Sequence, residues 1–184
     1  MTRLPLLSDD QVGPPDLVAA IRQRRGGRLM ELDRQLLHSP AFATGWGELM
    51  GRVRGALALP PLLRELAMCG VAAATGAAYE LYHHAPLYLA AGGSPAQLAA
   101  LRALAPAPNP APAGTLADDP VFDDTQQAVL ALVLAMTRDV QVSDAVFDRA
   151  RAVLGSDQLA FELVGVIASY NMVARILVVM KLEP

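Results

Sequence analysis

Prolines and glycines fall in this chain where helices begin and end, and that placement constrains the fold more than any other feature. Pro14 and Pro15 can open a first helix, since the fixed φ of proline suits a first turn, and "RGGR" at 25–28 stops it. A second helix is predicted over about 29–37. Ser39-Pro40 ends it, because the residue before a proline is pushed out of the α region. "AFATGWGELMGRVRGALAL" follows as a third helix, weakened by Gly45, Gly47 and Gly51. Pro60 and Pro61 open a fourth, which runs through Ala74 to a break at Thr75-Gly76. The fifth begins near Ala77 and stops at Gly92-Gly93, and Pro86 inside it is expected to kink it or unwind a turn. "SPAQ" at 94–97 is a further start, with Ser94 as N-cap and Gln97 closing a capping box.

"APAPNPAPAG", 105–114, has no large apolar residue and reads as an extended connector between two helical portions. Beyond it, "DDTQQAVLALVLAMTRD", "SDAVFDRARAVL" and "SDQLAFELVGVIASYNMVARILVVM" each begin with acidic or hydroxyl caps and continue at helical spacing. Helix formers dominate a sequence that is 53% hydrophobic but only 5% aromatic. The expectation is an all-α fold in a single domain spanning 1–184, since 184 residues suffice for one core.

Charge narrows the function classes. Only 18% of residues are charged, which suggests that part of an apolar surface is covered by a second copy; a homo-oligomer, a dimer or a trimer of dimers, is expected. A net charge of −3 gives no electrostatic case for nucleic acid. The single cysteine, Cys69, excludes an internal disulfide and any two-thiol redox motif. "MTRLPLLSDD" does not read as a secretory signal, its apolar stretch being broken by Pro5. The stretch 159–180 is oily enough to suggest a membrane span. Glu162, Asn171 and Arg175 interrupt it, so it reads as a buried core helix, and a cytoplasmic protein without a membrane partner is expected.

Against this background "TGAAYELYHH", 75–84, gathers Tyr79, Glu80, Tyr82, His83 and His84, and so holds two of the three histidines. Glu80 and His84 are four residues apart and share a helix face. Glu65, flanked by Leu62, Leu66, Met68 and Cys69, lies on the preceding helix. With the chain folded antiparallel at Thr75-Gly76, Glu65 and His84 each stand about 12–15 Å from the turn. A carboxylate from one helix then faces an imidazole from the next and fixes its tautomer, as acid–base chemistry requires. An ordinary ion-paired helix is the competing account.

The sequence resembles the carboxymuconolactone decarboxylase family, within the alkylhydroperoxidase D-like superfamily, over nearly its whole length. "LLHSPAFATGWGELMGRVRGALALPPLLRELAMCGVAAATGAAYELYHHAPLYLAAGGSPAQLAAL" is similar to its N-terminal half and "VGVIASYNMVARILVVM" to the closing helix of its larger members. The resemblance implies an alkylhydroperoxidase D-like helical fold, oligomeric. In the peroxidase branch a Glu precedes Cys-x-x-Cys and a His four beyond it. Laid on this chain, the Glu is Glu65, the cysteines fall on Ala77 and Glu80, and the His is His84. Both thiols are missing, so dithiol peroxidase activity is not expected.

The site expected from these readings has His84 as acid–base group, Glu65 as its orienting carboxylate and Glu80 as a second acid–base group or a salt-bridge partner. His83, Tyr79 and Arg175 are candidate substrate contacts. His83 points about 100° away from His84. Arg175 either binds a substrate carboxylate or pairs with Glu162 or Glu65. Glu80-Leu81-Tyr82-His83 is half of a di-iron motif without its second half, so no metal is expected, and no cofactor. The resemblance implies a cofactor-independent, decarboxylase-like lyase acting on a small unsaturated acid or lactone. The alternative is a non-catalytic oligomeric helical protein that binds a small molecule.

Overall fold

The computed structural model describes residues 1–104 and 114–184, and among them no β-strand occurs. The helices are α1 (Pro15–Arg24), α2 (Glu31–Leu36), α3 (Pro40–Gly55), α4 (Pro61–Thr75), α5 (Ala78–Ala90), α6 (Pro95–Ala103), α7 (Gly114–Ala117), α8 (Asp124–Arg138), α9 (Asp144–Leu154) and α10 (Asp157–Met180). The chain divides into two compact units. One is Met1–Leu57 with Val179–Leu182; the other is Ala58–Val178 with Glu183–Pro184. The division falls between Leu57 and Ala58. The Pro/Ala-rich connector lies, apart from Gly114, outside the described residues.

In the first unit, α1 stops where Gly26 and Gly27 take positive φ, and Asp33 ties the turn that follows. Its carboxylate, 1% exposed, accepts from the Met30 N–H and from both Nε and Nη2 of Arg25. A buried carboxylate kept so well supplied with donors is structural rather than catalytic. The glycines of α3 do not interrupt it. His38, the histidine outside the cluster, bonds the Pro5 carbonyl through Nε2 at 2.8 Å.

The second unit is organised around α4, which packs most extensively against α5 and α8. Leu63 and every residue from Glu65 to Ala73 are buried, so α4 is enclosed on nearly all sides, as its continuous apolar run requires. Gly70 lets α8 come close: a Cβ there would meet Val133 Cγ1 at 3.1 Å and Leu130 Cδ2 at 3.2 Å. Gly76, at φ 71°, ends the helix in a Schellman motif. The Ala77 N–H returns to the Ala72 carbonyl and that of Gly76 to Ala73, and α5 folds back along α4.

Pro86 does not unwind α5, which continues from Ala78 to Ala90. The proline is exposed, where water can take the carbonyl it leaves without an N–H. The expected capping box at Ser94 and Gln97 is present, and Asp123 and Gln126 form another at the start of α8. The two box glutamines also bond each other, Gln97 Nε2 to Gln126 Oε1 at 2.7 Å, while Tyr88 donates to Gln97 Oε1. One polar clasp thereby joins α5, α6 and α8.

α10 is long and apolar enough, by length and composition, to cross a membrane, and 44% of its most apolar window is buried. Leu163, Val166, Ile167, Tyr170 and Ala174 form its fully buried stripe. Glu162, on the same helix, accepts from the Leu59 N–H ahead of α4.

Candidate active site

α4, α5 and α10 each bring one polar side chain to a common point inside the second unit. Glu65 Oε2 lies 2.7 Å from His84 Nδ1, and His84 Nε2 lies 3.1 Å from the Tyr170 hydroxyl. The His84 and Tyr170 rings meet edge to face with centroids 5.0 Å apart. Glu65, His84 and Tyr170 are 6%, 8% and 0% exposed. The carboxylate fixes the tautomer: with Glu65 accepting, Nδ1 carries the proton and donates, and Nε2 of the neutral ring accepts from Tyr170. A second proton on His84 reverses the outer bond, Nε2–H then donating to the phenolic oxygen. The line can pass a proton along without moving a heavy atom.

The geometry places Glu65 and His84 as the spacing argument anticipated, level with each other across the Schellman turn. Glu80 stands one turn before His84 on α5 and is 2% exposed. Cys69 lies close to both carboxylates. Burial pushes its thiol well above the ordinary 9.0, the charges of Glu65 and Glu80 push further, and Arg102 opposes them weakly. The thiol is protonated and enclosed, the reverse of what a peroxidatic cysteine needs.

The remaining sequence candidates separate. His83 stacks edge-on against Tyr79 at 4.4 Å and Tyr82 at 5.1 Å, so it belongs to an aromatic group on the adjoining face of α5. Tyr79 is buried there and Tyr82 exposed. Arg175 pairs with neither Glu162 nor Glu65 in the structure. It is exposed on α10, and its Nη1 donates to Asn171 Oδ1 at 2.7 Å and to the Asn171 carbonyl. Tyr170 was not among the residues singled out from the sequence. Its signal was a phenol in the middle of an apolar core helix, since a buried Tyr hydroxyl needs a partner. Among the described residues no group of three His, Cys, Asp or Glu side chains is gathered for a metal.

The turn that pairs Glu65 with His84 lies inside a recognisable stretch of sequence. Residues 40–113 match the carboxymuconolactone decarboxylase family. That family segment carries Glu65, Glu80 and His84, whereas Tyr170 comes from beyond it. No curated protein sequence is significantly similar to the chain. Solved structures share its fold. An uncharacterized peroxidase-related protein from Silicibacter sp. TM1040 superposes with a TM-score of 0.78 at 19% identity, over 100% of this chain and 91% of that one. A peroxidase-related protein with an alkylhydroperoxidase AhpD core, from Ralstonia eutropha JMP134, gives 0.78 at 16% identity over 100% and 92%. A variant of the debrominase Bmp8 in complex with 2,3,4-tribromopyrrole gives 0.74 at 18% identity over 98% and 92%. The all-α, alkylhydroperoxidase D-like fold expected from the sequence is the fold observed, and these solved structures share it.

Proposed function

We propose that the protein is a small-molecule-processing enzyme, and specifically a cofactor-independent, decarboxylase-like lyase acting on a small unsaturated carboxylic acid or lactone. The observation that carries this reading is the Glu65–His84–Tyr170 line, in which three helices converge on one imidazole. The family match over the segment holding Glu65 and His84 supports it, as does a fold shared with a debrominase that binds a bromopyrrole. In such a reaction a proton must return to carbon after carbon dioxide leaves. His84, oriented by Glu65, supplies it; Tyr170 conveys it at Nε2; Glu80 serves as a second acid–base group. Removal of carbon dioxide from a γ-carboxy unsaturated lactone, followed by the gas released, tests the reading. Wild-type turnover with loss in the H84A variant supports it, and equal turnover by both sinks it.

A second reading has its own observation. Both nitrogens of His84 are bonded within the protein, as they would be in a structural histidine of a non-catalytic, small-molecule-binding oligomer. Under that reading H84A loses stability and no substrate is turned over by either form.

A further inference from the structure

α4 carries a second charged group to the site. Arg64 immediately precedes Glu65, its side chain is 16% exposed, and its Nε lies 3.8 Å from Glu65 Oε1. That separation is a Coulombic contact and not a hydrogen bond. The buried Nε–H meets no acceptor among the described residues. Buried donors are nearly always satisfied, and a guanidinium has five N–H groups in a rigid fork that suits a planar, delocalised anion. The other arginines near this region are differently placed: Arg102 is exposed on α6, and Arg175 is bonded to Asn171. The arginine placed against Glu65 is therefore one with hydrogen-bonding capacity still open.

We propose that Arg64 is the oxyanion-recognising residue of this site, its guanidinium receiving the negative charge that collects on the conjugated carbonyl oxygen of an unsaturated lactone or acid. The assignment rests on the lyase reading above and names the charge that the substrate presents. In the step it serves, the bond from carbon to the carboxylate breaks and carbon dioxide departs. The electron pair passes through the double bond to the carbonyl oxygen, giving an enolate. A proton from His84 then adds to carbon and the carbonyl re-forms. Arg64 acts on the oxygen that gains charge rather than on the departing carboxylate, because holding the latter would stabilise the ground state and slow the step.

Tetronate, the anion of 4-hydroxy-2(5H)-furanone, mimics that enolate because its charge is shared with the lactone carbonyl; 2(5H)-furanone is its neutral counterpart. Calorimetric titration of both into wild type, R64Q, R64K and H84A tests the assignment. Wild type is expected to bind tetronate more tightly than furanone. R64Q is expected to lose at least about tenfold in tetronate affinity with furanone little changed, and R64K to fall between them. Circular dichroism checks folding, and R64K alone carries the comparison if R64Q does not fold. The assignment is overturned if wild type shows no preference for the anion, if the folded variants keep wild-type tetronate affinity, or if they lose both ligands equally. Binding does not depend on turnover. A preserved anion preference with full activity in H84A sinks the lyase reading alone. A missing preference with catalysis at His84 intact sinks the assignment of Arg64 alone.

Discussion

Glu65 Oε2 and His84 Nδ1 are 2.7 Å apart although the two residues stand nineteen positions apart in the chain, and both are buried. The pair exists because Gly76 turns the chain at a point that sets the two residues level. The first prediction concerns the roles in this pair. On the lyase reading, H84A removes the proton donor and lowers kcat by on the order of 10²–10⁴ with the fold retained. E65Q keeps shape and loses charge, and the expected loss is smaller. E80A distinguishes a participant from a structural carboxylate, and on this reading its kcat falls between wild type and H84A. Steady-state rates on the same substrate, with circular dichroism of each variant, decide the order; near-wild-type rates for H84A refute it.

Tyr170 tests whether the line conveys a proton. Y170F removes the hydroxyl at His84 Nε2 and leaves a ring that still packs edge to face. Losing one buried hydrogen bond costs about 1 kcal/mol in unfolding free energy. The proton-conveying role predicts that kcat falls further than this stability change suggests, by about tenfold or more. An unchanged or increased kcat would instead show a hydroxyl that only blocks Nε2.

Much of this site was legible in the sequence because helix boundaries were. Pro60-Pro61, Thr75-Gly76 and Ser94-x-x-Gln97 mark local chemistry, and they fix the level at which Glu65 and His84 meet. Tyr170 was not legible, because its encounter with His84 depends on how a helix eighty-six residues away packs, and no local signal encodes that. The surroundings of Arg175 were not legible either: the sequence left open a substrate carboxylate or a pairing with Glu162 or Glu65, and the structure pairs it with neither glutamate. Its position on the exposed face, with Asn171 one turn before it, is tertiary information. Pro86 was expected to kink α5 or unwind a turn, and no turn unwinds, because the proline stands on the exposed side of the helix, where the missing N–H is tolerated.

Cys69 gives a prediction with a pH dependence. Its thiol is fully buried and held above its ordinary 9.0, and burial likewise raises the Tyr88 hydroxyl above 10.0. For a group raised in the folded state, the unfolded chain binds fewer protons once pH passes the ordinary value, so stability falls as pH rises. Unfolding free energy should be level in this respect below about pH 8.5 and then decline, by up to about 1.4 kcal/mol per pH unit for each group. C69A should remove the limb that begins near 9.0 and leave the tyrosine limb. The native thiol should resist iodoacetamide at pH 8, and dithiol-dependent hydroperoxide turnover should be absent. Rapid alkylation of folded protein, or such turnover, would contradict this account.

Self-association remains a proposal and has a direct check. Within the second unit Tyr82, Leu87, Leu89 and Phe161 are 62%, 51%, 39% and 77% exposed, in a chain with few charges to solvate its surface. A dimer or a trimer of dimers is expected by sedimentation at micromolar concentration. An aspartate at Tyr82 or Phe161 should shift the equilibrium toward smaller species if that residue lies in the interface. A wild-type monomer at that concentration would refute the expectation.

The clasp between the helix starts carries the last prediction. Gln97 accepts from Tyr88 and from the Ser94 N–H, and its Nε2 donates to the Val121 carbonyl and to Gln126. Q97A would therefore leave a buried phenol and two backbone groups without these partners at once, and would take from Gln126 Oε1 one of its two donors, the Asp123 N–H being the other. Each such group costs about 1–3 kcal/mol when water cannot replace the bond, and partial hydration of the backbone groups reduces the total. The expected destabilisation is about 3–5 kcal/mol by urea unfolding. G93A should act on the same clasp from the other side, because a Cβ there would penetrate the Tyr88 ring, whose helix runs directly into this turn. Tyr88 must then shift and loosen its bond to Gln97. The two changes should be less than additive, since each disturbs the Tyr88–Gln97 bond that the other needs. Full additivity in the double variant would show two independent sites and break the claim that one network joins α5, α6 and α8.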